Sequence, residues 1–116
     1  ETRCIFSDST PFEFLVIPGD ADKLMFHFQG GGACFNRETT ITQPACETDV
    51  KSPLPVGVFN RTEPKNPYAA YTVVMVLYCS GDAHIGNVTR DYKDKQGEPV
   101  RQLGYWNAKS ALDWAN

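Results

Sequence analysis

Apolar and β-branched residues occur in short bursts separated by long polar stretches. Phe12 to Ile17 is one such burst, ended by Pro18-Gly19-Asp20, where proline removes a backbone donor and glycine accepts a turn, so the pattern predicts a strand. Lys23 to Gln29 alternates, with Leu24, Phe26 and Phe28 on one face and Met25, His27 and Gln29 on the other. Neither face is strongly polar, which predicts a strand covered on both sides. Val73 to Tyr78 is nearly all apolar, as expected of an interior strand in a mostly parallel sheet. Cys4 to Ser7 reads as a short edge strand. Ala108, Ala111, Leu112 and Ala115 form the stripe of an amphipathic helix. No stop signal follows Trp114-Ala115-Asn116, so that helix is expected to run on.

Between these elements, Asn36 to Tyr71 is broken by Pro53, Pro55, Pro64 and Pro67, which predicts a long loop insertion over about 36–71, functional or locally stapled. Asp82 to Pro99 is also polar, and its charged stretch, Arg90 to Lys95, reads as a solvated loop. Strands, loop, strand, loop and unfinished helix open an α/β fold without completing it, so residues 1–116 are expected to be a segment of a single domain.

Composition narrows the function classes. A chain of 116 residues with 41% hydrophobic content has the make-up of a globular domain, not of a disordered one. With 11 basic against 14 acidic residues, a net charge of −3 gives no reason to expect nucleic acid or an acidic membrane surface as partner. The longest apolar run is too short to cross a bilayer, and Glu1 opens no basic-then-apolar leader, so a leader, if made, is expected to have been removed. The cysteines, Cys4, Cys34, Cys46 and Cys79, permit three complete pairings and leave no odd thiol. Without a C-x-x-C pair or a histidine close in sequence, they favour disulfides over a zinc site. Sequons at Asn60-Arg61-Thr62 and Asn87-Val88-Thr89 point the same way, to a secreted, glycosylated protein, with Asn60 in the proline-broken insertion expected to be the more readily modified.

Gln29-Gly30-Gly31-Gly32-Ala33-Cys34 follows directly on an apolar run, and residues without Cβ let the backbone turn sharply and expose its N–H groups. A P-loop ending and a G-x-G-x-x-G fingerprint are both missing. A flexible turn remains one reading, and a loop donating N–H groups to the oxyanion of ester cleavage the other. His27 sits mid-strand and reads as structural. Asp82 with His84 supplies too few ligands for a metal site, so Asp82 is read as ordering its loop and His84 as a substrate contact. Tyr105, Trp106 and Trp114 read as core. No cofactor and no metal are implied.

Phe28 to Asn36 resembles the glycine loop of the pectin acetylesterase and Notum family of carboxylesterases. Cys4-Ile5-Phe6, Asn66-Pro67, Leu77-Tyr78-Cys79, Ser80 to Asn87, Gly104 to Ala108 and Ala111 to Trp114 resemble further motifs of that family, in order and over almost the whole chain. The resemblance implies the N-terminal part of an α/β-hydrolase fold, a mostly parallel sheet with flanking helices, incomplete in this chain. It implies backbone oxyanion donors at Gly31 and Gly32, and substrate contacts from Ala33 and His84. The Gly-x-Ser-Ala-Gly elbow, the acid and the catalytic histidine of the family match no residue here, and neither Ser80 nor Ser110 takes the nucleophile's place. The remaining hydrolase polypeptide and an acylated carbohydrate are the implied partners. Family cysteine placement implies Cys4 with Cys79 and Cys34 with Cys46. Notum-like members carry an aromatic residue in place of Gly32, and plant pectin acetylesterases one in place of Ala33; their absence favours a short acyl group. The alternative within this resemblance is a catalytically inactive, hydrolase-like domain that binds glycan or protein.

Overall fold

In the computed structural model, which describes residues 1–116, the chain builds two small sheets and one helix. Strand β1 (Phe14–Ile17) is followed at once by β2 (Asp20–Phe28), and β3 (Tyr71–Val76) lies between them. The Pro18-Gly19 turn reverses the chain and carries it past the start of β3, where Gly19 N–H donates to Thr72 Oγ1 (3.0 Å) and Asp20 N–H to the Ala70 carbonyl (2.7 Å). A reversing turn between two strands that border the same third strand forces one antiparallel pairing. Accordingly β2 runs parallel to β3 and β1 antiparallel to it.

The second sheet is an antiparallel hairpin of β4 (Val88–Lys93) and β5 (Pro99–Gln102). The single helix, α1 (Gly104–Ala115), follows it directly. The expected mostly parallel sheet with flanking helices, the N-terminal part of an α/β-hydrolase fold, is therefore overturned: one of the three strand pairings is parallel, and one helix accompanies the sheets.

The apolar run forms the central strand, and period-two geometry sends its side chains to opposite faces. Val74 and Val76 meet Ala108 and Ala111 of α1, with Phe12, Phe14 and Phe26 around them. Val73, Met75 and Leu77 meet Met25 and, from the insertion, Val50 and Phe59. The insertion thus covers the face that α1 leaves open. It contains a wide turn at Glu38–Thr42, closed by Gln43 N–H on the Glu38 carbonyl, and a tight one at Gly57–Phe59.

Several expectations fail for local reasons. Cys4 to Ser7 is not a strand, because only Ile5 bonds as a strand residue would: its N–H donates to the Cys79 carbonyl (3.0 Å) and its carbonyl accepts from Arg101 N–H (3.2 Å). The charged stretch at Arg90 to Lys95 is mostly strand. Arg90 and Tyr92 point inward, one onto Gln102 and the other onto the cluster of Ile5, Cys34 and Val100. The alternation was hidden because its inward residues carry polar tips. In β2, Leu24 and Phe28 stay exposed, so that strand is not covered on both sides. The buried face of α1 is centred on Gly104, Asn107, Ala108 and Ala111, which leaves Leu112, Tyr105, Trp106 and Trp114 outside rather than in the core. Asn107 is buried because its amide accepts from Arg3 N–H and donates to the Arg3 carbonyl, both at 3.0 Å.

Candidate functional site

Strand β2 ends where Gln29 N–H donates to the Val76 carbonyl (3.0 Å) and the Gln29 side chain takes over the ladder by accepting from Tyr78 N–H (2.9 Å). The glycines follow. Gly32 lies opposite Cys46, flanked by Ala33 N–H on the Ala45 carbonyl (3.1 Å) and Glu47 N–H on the Gly31 carbonyl (2.8 Å). The Cys34–Cys46 disulfide closes this pairing, and Cys4–Cys79 ties the N-terminal segment to the end of β3; this is the pairing that the resemblance implied. Gly32 has φ of 80°, and a Cβ there would run into the Ala45 carbonyl, so no other residue fits without rearrangement. At Gly31 a Cβ would lie 2.7 Å from a ring carbon of Tyr78. The N–H groups of Gly30, Gly31 and Gly32 donate to no acceptor in the chain, and Gly30, Gly32 and Ala33 are exposed.

A second loop, following β3, lies against the first. Ala83 and His84 have φ of 56° and 64°, left-handed values uncommon for residues with a side chain. Asp82 holds them. Its carboxylate accepts from Ser80 Oγ (2.5 Å), His84 N–H (3.1 Å) and, at the start of α1, Gly104 N–H (2.8 Å). A carboxylate at a helix N-terminus also meets the positive end of the helix dipole. A Cβ at Gly86 or Gly104 would occupy the space of that carboxylate. Asp82 thus orders its loop, as its sequence position suggested.

The His84 ring lies 4.6 Å from the Tyr78 ring and 5.3 Å from Phe28, with Nε2 2.7 Å from the Gln29 carbonyl. A carbonyl only accepts, so Nε2 carries the proton. The Tyr78 hydroxyl donates to the Gly32 carbonyl (2.7 Å) and accepts from Ala83 N–H (3.0 Å). Burial pushes the Tyr78 phenol up; the Ala83 N–H opposes this and the nearby Asp82 carboxylate adds to it.

Gly31, Gly32, Ala33 and His84 therefore share one surface. Ser80 is buried with its hydroxyl committed to the Asp82 carboxylate, and Ser110 Oγ donates to the Asn107 carbonyl (2.7 Å), so neither is paired with a histidine. His27 packs edge-on against Phe59 at 5.0 Å. Asn87 is exposed, whereas Asn60 is half-buried with Oδ1 accepting from Thr62 Oγ1 (2.9 Å). Sequence reasoning missed Tyr78 as a site residue. Its signal, a tyrosine closing an apolar run before a glycine-bearing loop, is indistinguishable from core packing. A cleft of about 270 Å³ lined by Phe6, Ser9, Ile41 and Asp49 contains no residue of either loop.

No helix is long and apolar enough to cross a membrane. Comparison with protein-family models, curated proteins and solved structures finds no match.

Proposed function

We propose that this chain supplies the oxyanion-binding loop of a secreted carboxylic ester hydrolase acting on short acyl esters, acetyl above all, carried by a polysaccharide. The observation that carries the reading is the set of three consecutive glycine N–H groups, Gly30 to Gly32, without an acceptor in the chain and in a loop closed by the Cys34–Cys46 disulfide. Ester cleavage places negative charge on the carbonyl oxygen, and fixed N–H donors stabilise that charge more than they stabilise the ester. Gly31 and Gly32 are assigned this role. Ala33 and the half-buried His84 border the acyl group and the alcohol. The small side chain of Ala33 suits a short acyl group.

In this reading the nucleophile and its acid–base partners come from polypeptide beyond the chain described. Exposed Leu24, Phe28, Leu112 and Trp114 support a further packing partner. So does a radius of gyration of 15.5 Å, against about 13 Å for a compact domain of this length. Two disulfides support an oxidising destination. The test is Gly31→Val in the complete polypeptide, assayed on phenyl acetate and on acetylated polysaccharide. A β-branched side chain pressing on Tyr78 tilts the donors, and kcat is expected to fall about 100- to 1000-fold with the circular dichroism spectrum retained. Unchanged turnover in a folded variant would reject the assignment.

A further inference from the structure

Resting on the reading of the glycine loop as an oxyanion site, we propose that His84 and Tyr78 are its positioning residues: His84 aims the Gly30 N–H outward, and Tyr78 holds the peptide that follows Gly32. Neither touches the reacting atoms in this assignment. Both act through the carbonyl groups of the loop.

The argument follows from peptide geometry. In a trans peptide the carbonyl of one residue and the N–H of the next point in opposite directions within one plane, so anchoring the carbonyl aims the N–H. His84 Nε2–H holds the Gln29 carbonyl at 2.7 Å, which directs Gly30 N–H away from His84. Glu47 N–H holds the Gly31 carbonyl, which directs Gly32 N–H away from the insertion. The Tyr78 hydroxyl holds the Gly32 carbonyl, so the peptides on both sides of Gly32 are fixed. The peptide joining Gly30 to Gly31 has neither group bonded.

The anchors are themselves fixed. The His84 ring lies against Tyr78 and Phe28, and its left-handed backbone is tied by its own N–H to Asp82. The Tyr78 hydroxyl is oriented by Ala83 N–H, so the loop after β3 and the glycine loop meet at one oxygen. Histidine and asparagine tolerate left-handed φ better than most residues. His84→Asn therefore keeps the backbone while its shorter side chain withdraws the donor, and Tyr78→Phe removes only the hydroxyl.

Backbone 15N relaxation on the folded, oxidised chain tests the proposal. In the wild type the N–H order parameters of Gly30 and Ala33 are expected near those of rigid backbone, about 0.85. His84→Asn should lower Gly30 below about 0.6 while sparing Ala33, and Tyr78→Phe should lower Ala33, whose N–H the Ala45 carbonyl still holds, while sparing Gly30. Amides of β3 should keep their values in both. Order parameters at Gly30 and Ala33 that stay high in both variants would overturn the proposal. So would a fall spread over β3, which would mark the two residues as merely structural. Ester turnover by Gly31→Val is a separate readout: if it is unchanged while the crossed pattern holds, the oxyanion reading fails and the positioning role stands.

Discussion

Replacing Asp82 with alanine should uncouple the loop after β3 from α1. Three donors converge on that carboxylate: the Ser80 hydroxyl, the His84 N–H and the Gly104 N–H. Gly104 and Ser80 are buried, so water does not easily replace the lost acceptor, whereas the half-exposed His84 N–H can be hydrated. Bonds to a charged acceptor contribute about 1.5–3 kcal/mol, and the rotatable Ser80 hydroxyl recovers part of its share, so the net loss is about 3 kcal/mol. Unfolding entropy of about 2.1 cal/mol/K per residue converts this to a fall in Tm of about 12 °C for a chain of this length. Thermal unfolding of the oxidised protein, followed by circular dichroism, measures it. A fall below about 4 °C, or about 1 kcal/mol, would refute the view that one carboxylate couples the two elements. Gly104→Ala sharpens the test. Its Cβ enters the space of the Asp82 carboxylate, so it should destabilise the wild type and cost far less in the Asp82→Ala background.

Three further outcomes follow from other parts of the molecule. Burial disfavours ionisation of Asp94, but hydrogen bonds from the N–H and hydroxyl of Ser7 and the N–H groups of Glu98 and Gln96 outweigh it and hold its carboxyl below the usual carboxylate range. A depressed folded value stabilises the protein above the unfolded pKa of about 3.9 and loses that contribution as pH falls through the folded value, so Asp94→Asn should flatten the acid limb of a stability–pH curve. Replacing Cys34 and Cys46 by serine should cost about 3 kcal/mol by loop-closure entropy, and replacing Cys4 and Cys79 about 4.5 kcal/mol, both measurable by urea unfolding; equal costs would argue against the closure model. In eukaryotic secretory expression, glycopeptide mapping should find Asn87 occupied at least as fully as the half-buried Asn60, and occupancy at Asn60 alone would contradict the exposure argument.

The parts of the fold legible in the sequence were those where one residue type dominates a period. The run from Val73 became the buried central strand, and the Pro18-Gly19 punctuation became a turn. Its consequence, the antiparallel pairing of β1 with β3, depended on which strand came to lie between the two, and no local pattern encodes that. The β4–β5 hairpin was obscured because Arg90 and Tyr92 bury stems and rings while keeping polar tips. The exposed aromatics of α1 were misplaced for a different reason. Its inward face is set by Asn107, a polar residue made burial-compatible by the Arg3 backbone. At the candidate site, the glycine run announced an unusual backbone. The role of Tyr78 was invisible because its hydroxyl ties the loop after β3 to Gly32, 46 residues away in the chain.

The glycine loop takes its shape from partners that a newly synthesised chain has yet to acquire. Cys34 sits two residues beyond Gly32, and its partner Cys46 lies in the strip that supplies Ala45 and Glu47 as hydrogen-bond neighbours. Gly81, at the base of the opposing loop, packs directly on the same disulfide, close enough that a Cβ there would meet Cys46 Sγ at 2.7 Å. Apart from the disulfide, the glycine loop is tied to that strip by the Ala33 N–H on the Ala45 carbonyl and the Glu47 N–H on the Gly31 carbonyl. The Cys34–Cys46 bond adds the covalent tie at the end of that pairing. The backbone geometry of the glycine loop thus rests partly on a crosslink made after synthesis, and one covalent bond brings together three separate stretches of chain: the glycine loop, the strip at Cys46 and the turn at Gly81.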